Sequence, residues 1–164
     1  VLSGPALKPD PAAAGPTLVK IGKVLSSVLP KMVLDPLPGE FVSRDPVVVE
    51  QYKNDPLNYV GGLRARVGIE MLASMDAAQQ MAAECNWPLL LLQGDKDRLC
   101  LPEGASGYAA KHGSTDKELV MLEGQFHEIL NEPEGPETMQ MCIDWMRQRA
   151  GYVGSPSRSP AVGF

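Results

Sequence analysis

Residues Leu89–Leu92 are four consecutive leucines, followed by Gln93, Gly94 and then Asp95-Lys96-Asp97. A strand with one wet face would alternate apolar and polar residues. An unbroken apolar run, closed by Pro88 on one side and glycine on the other, suits a strand buried on both faces of a parallel sheet. Parallel strands need long crossovers, usually helices. The downstream sequence supplies them. Leu101–His112 reads as a helix beginning near Pro102, and Glu118–Leu122 ("ELVML") as a second strand. Pro136–Arg149 reads as a closing helix, with Met139, Cys142, Ile143, Trp145 and Met146 as its apolar surface. Strand, helix, strand, helix predicts an α/β fold with parallel strands near 88–93 and 118–122.

Upstream the pattern is looser. Val1–Ser3 reads as a short buried strand, and residues 5–60 hold no second good strand. Thr17–Leu29 is an amphipathic helix candidate with Leu18, Ile21, Leu25 and Val28 on one face and Lys20, Lys23 and Ser27 opposite. Pro30 closes it. "LDPLPGEFVSRDP" is an extended, turn-rich connection. A short helix follows at about Pro46–Lys53, capped by Asp45 with proline at its first position. Leu63–Ala73 and Ser74–Cys85 read as two helical segments, the second capped by Ser74. Residues 151–164 are rich in Gly, Ser and Pro and are predicted to be disordered.

Composition removes several function classes. The net charge of −5 lacks the basic concentration that phosphate binding needs, so no nucleic-acid partner is expected. Cys85, Cys100 and Cys142 are odd in number and widely spaced, which indicates neither a disulfide framework nor a zinc site. A reducing, cytoplasmic compartment is expected. No apolar run approaches the roughly 20 residues of a membrane span.

Chemistry concentrates after the two strands. Asp97 lies just past the carboxyl end of the first and His127 just past that of the second. In an open parallel sheet, ligands and reactive groups collect at this edge. A carboxylate there can hold one imidazole nitrogen and leave the other free as a base. Asp followed by His is also the second half of the Ser…Asp…His order of α/β-hydrolases. Taken singly, Asp97 could instead cap the helix near Leu101, Asp95 could be the acid, and His127 could be an ordinary loop histidine.

At these residues the chain resembles the monoacylglycerol lipase group of α/β-hydrolases, also described as serine aminopeptidase or lysophospholipase-like. The resemblance runs from about Val1 to Arg149. It is carried by "VLSGP", "SRDPVVVEQYKNDPL", "LLLLQGDKDRLC" and "EGQFHEILNEPEG". It implies Asp97 as the acid, His127 as the base, and Val1–Ser3 as the strand after the nucleophile elbow. It further implies that residues 1–4 and 62–150 are the C-terminal half of the hydrolase core, with 5–61 a mainly helical cap inserted after the first strand. Tyr52 would line the substrate site near the glycerol head group. Thr17–Leu29 would shield the acyl tunnel and can rest on membranes, although such a helix more often packs on its own protein. Cys100 matches a cysteine near the site in animal relatives and is not a nucleophile here.

Two departures qualify the resemblance. The chain contains no G-x-S-x-G, and Leu130 stands where animal monoacylglycerol lipases carry a second histidine. The expectation is therefore a fragment that supplies acid and base but no serine, and that does not catalyse alone. The substrate class is a single-chain lipid ester such as monoacylglycerol, with no metal or organic cofactor. Lysophospholipase, aminopeptidase and epoxide hydrolase activities remain alternatives, as does a non-catalytic binding module.

Overall fold

The computed structural model describes residues 1–11 and 15–151. The predicted disordered tail falls outside these residues from 152 onward. Three parallel strands, β1 (Leu2–Ser3), β2 (Leu89–Gly94) and β3 (Lys117–Leu122), form one sheet in the order β1-β2-β3. Leu2 pairs with Leu91, and Leu91 in turn with Leu119. The α/β class is as the sequence indicated.

The leucine run is central for the reason its composition suggests. Successive side chains of a strand point to opposite faces. Leu89 and Leu91 pack with Leu7, Ala82, Ala105, Tyr108 and Ala109 on one face. Leu90 and Leu92 pack with Ile129 and Cys142 on the other, with Val120, Leu122 and Trp145 against them. The four leucines are between 0 and 2 % exposed. Burying each contributes on the order of 1.5–3 kcal/mol, which makes β2 the spine of the sheet.

The described residues form five α-helices: α1 (Pro16–Val28), α2 (Pro46–Asn54), α3 (Ala65–Met81), α4 (Pro102–Lys111) and α5 (Gly135–Arg149). Asp45 caps α2 as expected, its Oδ1 accepting the N–H of Val47 at 2.8 Å. The pair of helices expected over 63–85 is instead one helix, α3, followed by a 3₁₀ turn at Ala82–Glu84. Ser74 is not a cap. Its hydroxyl donates to the carbonyl of Glu70 one turn back, and the alanines around it carry the helix through.

Helix α1 corrects a second expectation. It packs on α3 through its small residues: a Cβ at Gly22 would lie 3.0 Å from Ile69 Cδ1, and Ser26 is buried. Of the expected apolar row, Leu18, Ile21 and Val28 are more than half exposed, as is Val24, while Leu25 is half-buried. On α5, Cys142 and half-buried Trp145 face the core as expected, joined by Thr138, but Met139 and Met146 stay largely exposed. Among the described residues no helix is long and apolar enough to cross a membrane.

Candidate active site

Because β2 and β3 are adjacent and in register, the turns after their carboxyl ends meet above the sheet. Two glycines make room for the meeting. A Cβ at Gly94 would sit 2.2 Å from the carbonyl oxygen of Phe126, and one at Gly4 only 2.7 Å from that of His127. Gly4 also has φ +50, a region that L side chains disfavour. Three consecutive β-strand ends therefore converge on the backbone around His127.

Asp97, 3 % exposed, is saturated with hydrogen bonds. Its Oδ1 accepts the N–H groups of Leu99 at 2.8 Å and Cys100 at 2.9 Å. Its Oδ2 accepts Gln93 Nε2 at 2.8 Å and faces His127 Nδ1 at 2.9 Å. Burial pushes the Asp97 carboxyl up, but the hydrogen bonds from His127, Cys100 and Leu99 and the charge of His127 outweigh it and hold the group below the ordinary carboxylate range. The hydrogen bond to Asp97 holds His127 above the usual histidine value, against the opposing effect of burial. An ionised carboxylate has no hydrogen to give, so Nδ1 of His127 must be the donor. Nε2 is left without a hydrogen bond among the described residues, on a side chain 28 % exposed.

The competing carboxylate is spoken for. Asp95 Oδ1 accepts the N–H of Gly124 at 2.7 Å and so ties the two turns together through backbone. Tyr52 is not brought to the pair by any hydrogen bond. It is half-buried on α2, its ring beside Gly39, and its hydroxyl makes no hydrogen bond among the described residues. Cys100 is buried, and its thiol is pushed up to about 12 by burial and by the Asp97 charge, so it stays a thiol. All three cysteines are free. Among the described residues no cluster of three or more His, Cys, Asp or Glu is placed to hold a metal ion.

Gln93 carries little signal in the sequence. It is fully buried, and its Nε2 serves both Asp97 and the carbonyl of Cys100 at 3.2 Å. A glutamine ending a run of leucines is the one available hint, because a buried amide must find partners. Arg44 and Glu132 were equally silent. They are 88 positions apart and join through the Arg44 N–H at 3.0 Å and Nε at 2.5 Å.

A profile of the family described as serine aminopeptidase, S33, matches residues 1–134, most of the chain. The chain belongs to that family. This S33 chain is 36% identical over 146 residues to a monoacylglycerol lipase of Mycolicibacterium smegmatis, covering 89% of this chain and 52% of that protein. It is 34% identical over 159 residues to the human monoglyceride lipase, covering 96% and 52%. The chain thus spans about half the length of the curated relatives it matches. Among solved structures, the Paleococcus ferrophilus monoacylglycerol lipase superposes with a TM-score of 0.81 at 29% identity, over 89% of this chain and 57% of that one. A monoglyceride lipase variant from Saccharomyces cerevisiae, at 16% identity and a TM-score of 0.74, shares the fold over 93% of this chain and 53% of its own. The S33 chain is therefore a monoacylglycerol lipase-like member of the α/β-hydrolases.

Proposed function

We propose that this chain provides the acid and base of a carboxylic-ester hydrolase acting on monoacylglycerol or a similar single-chain lipid ester. The observation that carries the reading is the 2.9 Å contact between Asp97 and His127 at the ends of adjacent parallel strands, with Nε2 of the imidazole open. In this reading a serine outside the 164 residues attacks the ester carbonyl while His127 Nε2 takes its proton. His127 then returns that proton to the departing alcohol, and water repeats the sequence on the acyl-enzyme. Asp97 fixes the tautomer and stabilises the imidazolium. The absence of G-x-S-x-G from the chain and its half-length match to the relatives support placing the serine elsewhere.

Residues 5–61 serve as the cap. The outward apolar row of α1 supports a peripheral resting place on a lipid surface at the cytoplasmic side. Tyr52 enters as a cap residue with an uncommitted hydroxyl, available to a glycerol head group. The second reading, a non-catalytic binding module, draws on the missing elbow alone.

A fluorophosphonate probe applied to the longest cellular product containing this chain tests the proposal, together with monoacylglycerol hydrolysis. Labelling of a serine outside residues 1–164, with hydrolysis abolished by His127→Ala, is expected. No labelling rejects the serine-hydrolase reading, and hydrolysis that survives His127→Ala rejects His127 as its base. Vesicle co-sedimentation reduced by Ile21→Glu with Val24→Glu is expected for the α1 contact, and unchanged sedimentation rejects it.

A further inference from the structure

The connection between the 3₁₀ turn Gly39–Phe41 and helix α2 touches both turns of the candidate site. On the acid side, the Arg98 guanidinium lies over the Phe41 ring, 3.9 Å from its centroid. On the histidine side, Val42 contributes its carbonyl, which accepts the N–H of Glu128 at 2.7 Å. Arg44 grips Glu132 with its backbone N–H and its Nε, and also bonds Glu134. The Glu132 side chain is wholly buried and accepts one further donor, the N–H of Phe126 at 3.3 Å. The residues immediately before and after His127 therefore both have their N–H groups held by this one arrangement.

We propose that the segment Phe41–Arg44 is a bracket that holds His127 in register with Asp97, with Arg44 and Glu132 as positioning residues for the hydrolytic site. The inference rests on the proposed function for its purpose, although the positioning itself does not depend on catalysis. A buried carboxylate requires its partners. Removing Arg44 leaves Glu132 buried beside backbone donors too few to replace a guanidinium. The pair is buried on the Glu132 side and 34 % exposed on the Arg44 side, so its loss costs more than that of an exposed pair and less than that of a wholly buried one. The Glu132 carboxylate must then turn toward water, which releases the Phe126 N–H and loosens the peptide that carries His127. Because the bracket lies between Gly39 and α2, displacement of this part of the chain by a ligand would reach the base through the same contacts.

The test is an NMR titration of the two imidazoles, His112 and His127, in the 164-residue chain. In the unaltered chain His127 should titrate above the ordinary histidine value and His112 below it. In Glu132→Gln and in Arg44→Gln, His127 should move back toward the ordinary value while His112 stays depressed, and the double variant should move it no further than the larger single change. Arg44→Lys keeps the charge but not the fork. It gives the same reading on a milder change should Glu132→Gln not fold. In an active full-length enzyme these variants should lower kcat on the order of 10²-fold with KM little altered, as for a misplaced catalytic group. A His127 titration unmoved in folded variants, an ordinary value in the unaltered chain, or additive effects of the two single changes would overturn the bracket. Shifts as described, with no ester hydrolysis by the longest cellular product containing this chain, would uphold the bracket and reject the hydrolase reading instead.

Discussion

Asp95 and Asp97 stand two positions apart in one turn and take different partners. Asp97 Oδ2 meets the imidazole of His127 at 2.9 Å, and Asp95 Oδ1 meets the backbone N–H of Gly124 at 2.7 Å. Only the first contact involves a group that can move a proton near neutral pH.

The two carboxylates should accordingly separate in experiment. Asp97→Asn should return His127 toward the ordinary histidine value, and in an active enzyme it should cost about 10⁴ in turnover if it acts as the orienting carboxylate of a serine protease does. Asp95→Ala removes one hydrogen bond to a partly exposed turn. It should cost about 1 kcal/mol in denaturant unfolding and leave the His127 titration unchanged. The titrations of the two variants, measured side by side, check the assignment.

Gly94 and Gly4 are the positions where added bulk should act on the site, at Gly94 against backbone alone and at Gly4 also against the His127 ring, 3.5 Å from Nδ1. Alanine at 94 would drive a Cβ into the Phe126 carbonyl, and overpacking of this kind costs about 1–3 kcal/mol or more. Alanine at 4 adds the left-handed backbone cost of roughly 1–2 kcal/mol. Both should lower the unfolding midpoint and displace His127 from Asp97. A matched Gly68→Ala, where a Cβ meets nothing within 4 Å in the first turn of α3, should be neutral or stabilising.

The pH dependence has a defined sign. His127 is raised in the folded state, so its contribution is fully present below its unfolded value near 6.5 and is lost as pH rises through the folded value. Asp97 is lowered, so its contribution is present above about 3.9 and is lost as pH falls through the folded value. His112 works in the opposite sense to His127. Burial lowers it, so its neutral form favours the fold above about 6.5, and stability falls as pH drops into the window beneath. From about pH 6.5 upward through the raised folded value, His127→Gln should therefore flatten a decline in stability that the unaltered chain shows. Urea unfolding at several pH values in that range measures it.

Much of this arrangement was legible because it is local. Four leucines bounded by Pro88 and Gly94 fixed a doubly buried strand, and proline with Asp45 fixed the start of α2. Signals that name a residue type without its neighbours were misleading. Ser74 looks like a cap but bonds back to Glu70, and the apolar row of α1 faces away from α3 because Gly22 and Ser26 allow the closer approach on the other side. Gln93 and the Arg44–Glu132 pair were hidden for a different reason. Their meaning lies in partners that the fold, not the spacing, brings together, across 88 positions for the pair.

The most direct test of the central claim, that Asp97 orients His127 as a base, is the ¹⁵N spectrum of His127 above its titration midpoint. The nitrogen shifts report which ring atom carries the hydrogen. The hydrogen should reside on Nδ1, facing Asp97, with Nε2 unprotonated, and Asp97→Asn should abolish that preference. A neutral His127 protonated on Nε2 in the unaltered chain would contradict the account.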